Sequence, residues 1–298
     1  MQDGIQQLLT PRELAGLRNL NIESRFTVEG SLQGAHRSPT RGFSVEFADY
    51  RQYVNGDDLR HLDWKVYARN ERLYIRQYEE ECNLRVYLLV DGSASMGFQG
   101  DASVSKYEFA AKLASSLAYV TIQQQDSVGL SLFDRQVVRQ LPARGGRGHL
   151  RVVGNFLAEH SPGKTTDVAQ TLHRLADSVQ RRALVVIVSD LFDDLEPIHR
   201  ALAHFRRRHH DVIVYHVMDP AELEFPYDGL GRFEDMETGE EMLTDPLEIR
   251  QSYRESVADF LQSCQRVCAG LDVDYCFADS SESPVELIRR HFARRKRR

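Results

Sequence analysis

Asp91, Ser93 and Ser95 stand at alternate positions in D-G-S-A-S, directly behind the apolar run Val86–Val90. One carboxylate and two hydroxyls on a single short loop make a set of hard oxygen donors of low total charge. Such a set suits Mg2+, which keeps several waters and takes few protein ligands, better than Zn2+, which prefers His or Cys. A second apolar run, Ala183–Val188, ends in the same way, in Ser189-Asp190. Between the two runs, G-K-T-T-D at 163–167 opens a helical stretch with the hydroxyls of Thr165 and Thr166. A threonine there has an ordinary use as a helix N-cap. Three oxygen-bearing loops at one edge of a sheet are a much rarer coincidence than any one of them. Asp91, Ser93, Ser95, Asp190 and one of the two threonines are therefore candidate cation ligands.

Both apolar runs are rich in strand formers and too short for surface helices, which predicts strands buried on both faces. A loop at the carboxyl end of such a strand is where open α/β sheets place ligands. Helical spacing follows at Ser105–Gln124, where Phe109, Leu113, Leu117 and Val120 alternate with small alanines. Strands alternating with helices over 83–298 predict an α/β fold with a doubly wound, mainly parallel sheet. An acidic, Gly-rich stretch at 219–246, with a turn at Thr238-Gly239, reads as a β-hairpin insertion, and Asp219-Pro220 as the stop of the strand before it. Residues 1–82 read as a small mixed α/β appendage. Its signals are the capping signature T-P-R-E at 10–13, the alternation of Phe43, Val45 and Phe47, and a turn at Asn55-Gly56. Helical spacing through Leu59, Leu62, Val66 and Tyr67 comes next, then a strand around Leu73 and Ile75. The glycines at 145–148 lack the Lys-Ser/Thr ending of a P-loop and read as a turn.

With 298 residues, 42% hydrophobic and 28% charged, the chain matches ordinary soluble globular proteins and can bury a sizeable core. No apolar run approaches 18 residues, and the first residues lack the basic-then-apolar pattern of a secretory signal. The expectation is a cytoplasmic protein with no membrane span. Four scattered cysteines agree with a reducing compartment, and Cys264 and Cys268 read as buried thiols. A net charge of −6 argues against nucleic acid as a partner, so the terminal A-R-R-K-R-R reads as a solvated, frayed end.

D-G-S-A-S at 91–95, the threonine in G-K-T-T-D and the aspartate of V-I-V-S-D-L resemble the three parts of the metal-ion-dependent adhesion site of von Willebrand factor A-like domains. The resemblance implies that Ser93 and Ser95 bind a divalent cation directly, Thr166 directly or through water, and Asp91 and Asp190 mostly through water. T-D-V-A-Q-T-L favours Thr166 over Thr165, with a shift of one residue left open.

More widely, Y-V-N-G-D-D-L-R-H-L-D-W-K-V-Y-A-R-N at 53–70, L-Y-I-R-Q-Y-E-E-E, H-V-M-D-P-A-E-L-E-F-P and E-T-G-E are similar to the bacterial family called domain of unknown function 58. That similarity spans almost the whole chain. Members of the family carry an A-like domain and are commonly found beside MoxR-type AAA+ ATPases. The resemblance thus implies an accessory factor in a chaperone-like or complex-maturation role, with such an ATPase or its client as protein partner. Many relatives carry N-terminal membrane spans, whereas this chain resembles the short soluble type. Within the 53–70 block, Asp58, Arg60, Asp63, Trp64 and Arg69 are expected to form a buried or interfacial ion network around Trp64. Such a network would dock one domain or contact a partner.

Two carboxylates leave a divalent cation, Mg2+ or alternatively Mn2+ or Ca2+, with net positive character and a water-filled position. An Asp or Glu from a partner protein fills that position, so the expected mechanism is recognition and not catalysis. The alternative is a Mg-dependent, haloacid-dehalogenase-like phosphotransferase in which Asp91 attacks phosphorus, assisted by Lys164 and the acidic group Asp190, Asp193 and Asp194. Those enzymes have a second Asp two residues after the nucleophile, where this chain has Ser93. A serine hydrolase at Ser95 lacks the glycine of a nucleophile elbow.

Overall fold

In the computed structural model of the chain, the described residues are 4–25, 46–53, 62–70, 72–79, 84–134, 136–163 and 168–296. The chain divides into two compact units, Met1–Ile22 with Arg85–Arg298, and Glu23–Leu84.

T-P-R-E at 10–13 folds as its spacing dictates. After α1 (Gly4–Leu8), Thr10 caps α2 (Pro11–Leu17): its hydroxyl accepts from the Glu13 N–H at 3.3 Å, and the Glu13 carboxylate accepts from the Thr10 N–H at 2.6 Å. Both helices group with the larger unit, although their sequence position suggested the appendage. Ile5 and Leu17 on these helices and Leu9 between them are buried, and the Gln124 carboxamide bonds both the N–H and the carbonyl of Ile22 at 2.9 and 3.1 Å.

In the unit Glu23–Leu84, β1 (Glu46–Gln52) pairs antiparallel with β2 (Tyr74–Glu79), and α3 (Trp64–Asn70) lies between them in the chain. Phe43, Val45, Leu59 and the Asn55-Gly56 turn lie outside the described residues.

The larger unit is built on six strands in the order β10-β7-β6-β3-β4-β5. They are β3 (Arg85–Asp91), β4 (Ser127–Phe133), β5 (Val137–Arg144), β6 (Leu184–Ser189), β7 (Asp211–Met218) and β10 (Asp274–Asp279). All pairs are parallel except β4 with β5. The helices between them are α4 (Lys106–Gln123), α5 (Arg147–Ala158), α6 (Val168–Ser178), α7 (Leu195–Arg207), α8 (Pro220–Glu224), α9 (Pro246–Gly270) and α10 (Pro284–Arg295). The insertion is a separate ribbon, β8 (Gly231–Glu234) with β9 (Glu241–Thr244), turned at Gly239 with φ +73°.

Alternate strand residues face opposite layers. Leu89, Val185, Ile187, Val212 and Val214 pack with α6, α7 and α9 through residues such as Leu172, Phe205 and Cys264. The intervening Leu88, Val90, Val186, Val188 and Ile213 are equally buried, on the face that α4 covers and α10 flanks. Burial on both faces explains why these strands read as unbroken apolar runs. Cys264 and Cys268 are inert core thiols, pushed up to about 12 by burial. Among the described residues, no helix is long and apolar enough to cross a membrane.

The basic terminus is not frayed through Arg295. That guanidinium is buried against Asp211, at the start of β7, and against Asp274, at the start of β10, 3.0 Å away. His291 meets the same Asp274 carboxylate at 3.1 Å and the Tyr215 hydroxyl at 2.7 Å. A run that looks like a solvated basic tail is thus the last turn of a helix anchored to two strand starts. Arg295→Ala removes the cation these buried carboxylates share, and should lower unfolding free energy by about 3–5 kcal/mol in urea titration; an unchanged midpoint would refute the anchoring role.

Candidate functional site

β3 lies between β4 and β6, so the chain leaves it to one side through α4 and later returns on the other through α6. This is the switch point of the sheet, where the loops after β3 and β6 diverge and leave a crevice. Asp91 ends β3 and Asp190 directly follows β6, with Val90 paired to Val188. Strand pairing therefore brings together two carboxylates that are 99 positions apart in the chain.

Asp91 is fully buried. Its Oδ1 accepts from the Ser93 N–H at 3.0 Å, and its Oδ2 accepts from the Ser189 hydroxyl at 2.5 Å. The Ser93 and Ser95 hydroxyls lie 3.0 Å apart. Burial, and then the negative charge of Asp190, push the Asp91 carboxyl up to about 7, against the lowering effect of its hydrogen bonds to Ser189 and Ser93. The structure thus brings Asp91, Ser93, Ser95 and Asp190 to one place. Thr166 lies outside the described residues, together with Lys164 and Thr165. Its described neighbours are tied to the two site loops: the Gly163 N–H donates to the Gly92 carbonyl at 2.6 Å, and the Ala169 N–H to Asp193 at 3.3 Å. Gly92 has no room for a side chain, since a Cβ there would come within 2.5 Å of the His160 ring and 2.7 Å of Leu132.

The site holds a charged residue that the sequence reading missed. Lys106, the first residue of α4, is fully buried, and its ammonium donates to Asp190 at 2.8 Å and to Glu222 at 2.6 Å. Burial disfavours the ammonium, yet Asp190 and Glu222 outweigh it and hold its pKa above the ordinary lysine value. Phe192 lies under the same ammonium, 4.8 Å from ring centre to nitrogen. The available signal was a lysine at a helix start, where the dipole disfavours a cation unless carboxylates face it.

The second omission is α8. D-P-A-E at 219–222 is a cap, a proline and a glutamate three residues after the cap, the same signature as T-P-R-E at 10–13. In sequence it reads as a strand stop; in the structure it opens a helix. Asp219 accepts from the Ala221 N–H at 2.8 Å, while Glu222 accepts from the Asp219 N–H at 2.8 Å. Asp219 also accepts from the N–H groups of Gly100 and Asp101, both at 3.2 Å, so α8 is bonded to the loop that follows Ser95. His216 completes the surroundings. It is buried, 2.9 Å from the Tyr275 hydroxyl, and lowered to about 4 by burial, hence neutral.

The second candidate cluster is described in part. Asp63 is buried and caps α3, accepting from the Val66 N–H at 3.2 Å. Trp64 is 63% exposed, packed edge-on with Tyr67 at 6.2 Å, and Arg69 is exposed. The indole is therefore exposed, which leaves the interfacial form of the expected network. Asp58 and Arg60 lie outside the described residues.

Fold and site together define an α/β protein with a mainly parallel six-stranded sheet, whose switch point gathers carboxylates, hydroxyls and one buried ammonium. The chain belongs to the family described as protein of unknown function DUF58, whose model matches residues 49–262. It is 31% identical to the uncharacterized protein Rv1480 of Mycobacterium tuberculosis over 234 residues, 77% of this chain and 72% of that one. Its counterpart in Mycobacterium bovis, uncharacterized protein Mb1516, matches equally. Among solved structures, the conserved hypothetical protein BatB from Bacteroides thetaiotaomicron is similar with a TM-score of 0.51 and 20% identity, over 72% of this chain and all of that one. An aerotolerance-related membrane protein from Bacteroides fragilis is similar with a TM-score of 0.50 and 21% identity, over 71% of this chain and all of that one. At that identity the likeness is one of fold.

Because the Asp91 pKa is raised on folding from 3.8 to about 7, its protonated form stabilises the folded state. That contribution is complete below about pH 4 and is lost as pH rises through about 7. In chelator, the wild type should lose stability over this window relative to Asp91→Asn, which stays neutral; parallel melting profiles from acid to neutral pH would refute it. Lys106→Met leaves Asp190 and Glu222 buried without their shared ammonium, and should lower stability by about 3–5 kcal/mol in urea titration.

Proposed function

We propose that this chain is a divalent-cation-dependent protein-binding module of the von Willebrand factor A type. In this reading Ser93 and Ser95 hold the cation directly, Thr166 directly or through water, and Asp91 and Asp190 through water. Mg2+ is the favoured ion, with Mn2+ and Ca2+ as substitutes of the same donor preference. When bound, the cation supplies an electrophilic position that a carboxylate from a partner protein occupies.

The observation that carries the reading is the charge balance at the switch point. Lys106 is shared between Asp190 and Glu222, while Asp91, fully buried beside Asp190, has only the neutral donors Ser93 N–H and Ser189 hydroxyl. A cation beside Asp91 and Asp190 removes the repulsion between them. The donor set fits the group, because hydroxyls 3.0 Å apart and carboxylates suit a hard ion. Among the described residues, no three His, Cys, Asp or Glu side chains form a metal cluster, so the reading rests on the serine hydroxyls as ligands. Both Asp91 oxygens already hold internal donors, which suits a fixed carboxylate of an ion site better than a nucleophile.

The chain's own residues do the remaining work. Ser189 and the Ser93 N–H fix the Asp91 carboxylate, and Lys106 fixes one oxygen of Asp190, leaving the other toward the loop at Phe192. The partner we infer is a MoxR-type AAA+ ATPase or its client, and the role is that of an accessory factor in complex maturation.

Isothermal titration with Mg2+ tests the site: wild type should release or take up heat on binding, and Ser93→Ala/Ser95→Ala should not. A purified MoxR-type ATPase of the same organism should bind the wild type in Mg2+ and lose it in chelator and in the double variant. Equal binding by the double variant would overturn the reading.

A further inference from the structure

Five large apolar side chains of the insertion and the first turn of α9 face solvent: Leu230, Met236, Met242, Leu243 and Leu247 are between 47% and 73% exposed. Single exposed apolar residues need no explanation, but five within 18 positions do. The same segment is strongly acidic. Residues 228–248 carry eight carboxylates against the one guanidinium of Arg232, a net charge of −7 beside −6 for the whole chain.

The ribbon is held firmly at its base. Phe225 stacks on Phe233 at 5.4 Å and on Tyr253 of α9 at 4.4 Å, and Arg250 of α9 donates to the carbonyls of Phe225 and Tyr227 at 3.1 and 2.8 Å. A two-stranded ribbon has marginal stability alone, and these contacts supply what it lacks. Its strands pair only with each other among the described residues. Phe233 pairs with Met242 and Arg232 with Leu243, so Met242 and Leu243 project from opposite faces. An element that projects one exposed apolar side chain from each face, Met242 beside Phe233 and Leu243 beside Arg232, is suited to insertion into a cleft and not to lying on a flat surface.

The ribbon also reaches the candidate site. The Met236 methyl lies 3.6 Å from where a Cβ on Gly97 would stand, against the turn Ser95–Gly97 that presents Ser95.

We propose that the β8–β9 ribbon is a second contact arm, inserting into a cleft of a partner protein whose walls are apolar and whose rim carries Lys and Arg. The inference deepens the module reading, on which it rests for the identity of the partner as the protein that also offers a carboxylate beside Ser95. Charge complementarity selects the occupant, since a net −7 surface repels an acidic one and a purely apolar cleft leaves the carboxylates desolvated. The arm and the cation then read opposite chemistry on one partner.

The test uses the full chain and three fluorescent peptides: an amphipathic Lys/Leu peptide, a Lys/Ser peptide and a Glu/Leu peptide, followed by anisotropy. The Lys/Leu peptide should bind the wild type, and about tenfold more weakly at high salt, as expected of a charge-assisted contact. Met242→Ser/Leu243→Ser and Glu237→Lys/Glu240→Lys should each weaken it about tenfold with unchanged melting temperature, since the aromatic anchor is untouched. Lys/Ser and Glu/Leu peptides should not bind. Equal affinity for either double variant, or equal binding of the Glu/Leu peptide, overturns the proposal. So does a dimer in sedimentation that Leu243→Ser dissolves, which would give the ribbon to a second copy. Binding of the Lys/Leu peptide should persist in chelator and in Ser93→Ala/Ser95→Ala, so failure of the arm and failure of the cation site read out separately.

Discussion

Parallel pairing of β3 with β6 places two carboxylates in the interior at neighbouring strand ends, and the rest of the site answers that constraint. A buried carboxylate requires hydrogen-bond donors or positive charge. Asp91 takes the Ser189 hydroxyl and the Ser93 N–H; Asp190 takes the Lys106 ammonium and the Phe192 N–H. Lys106 in turn takes Glu222, Glu222 belongs to the cap of α8, and the capping Asp219 bonds the backbone at Gly100 and Asp101. One chain of charge-assisted bonds thus runs from the sheet to the loop that follows Ser95.

The sheet holds a second buried charge cluster, and the contrast between the two is informative. Asp211 and Asp274 lie at the amino ends of β7 and β10, opposite the switch point, and meet Arg295 and His291 from the C-terminal helix. Planar guanidinium and imidazole groups close that cluster, which accounts for how a basic terminal sequence becomes a structural anchor. At the carboxyl ends, one flexible ammonium faces Asp190 and Glu222, while Asp91 is left with neutral donors. The first arrangement gives its carboxylates a shared guanidinium; the second leaves Asp91 with neutral donors in a crevice, and that is the physical basis for proposing an ion site there.

The ribbon β8–β9 adds a surface of different character. Its aromatic base is built into the larger unit through α9, and its outer residues are apolar and acidic, with Met236 against the turn that carries Ser95. Similar folds with little sequence identity show that the sheet and its helices tolerate wide variation. Specific function in such a protein must come from loops and insertions that a shared sheet merely positions.

Much of this was legible from residue order alone. Buried parallel strands announce themselves as unbroken apolar runs, which is why Val86–Val90 and Ala183–Val188 were placed correctly and the loops after them marked as a site. The capping signature at Thr10 and the turn at Thr238-Gly239 are local chemistry and were equally readable. D-P-A-E at 219–222 carries the same local signal directly behind a strand end, where it reads equally as a strand stop. Other features were decided only by tertiary contact. That α1 and α2 join the larger unit, that Trp64 is exposed, that Lys106 is buried between Asp190 and Glu222, and that Arg295 anchors a helix all depend on partners in other elements or on burial. Local pattern states which residues prefer the interior; only the folded arrangement decides which charge meets which, because an ion pair between distant residues leaves no period in the chain.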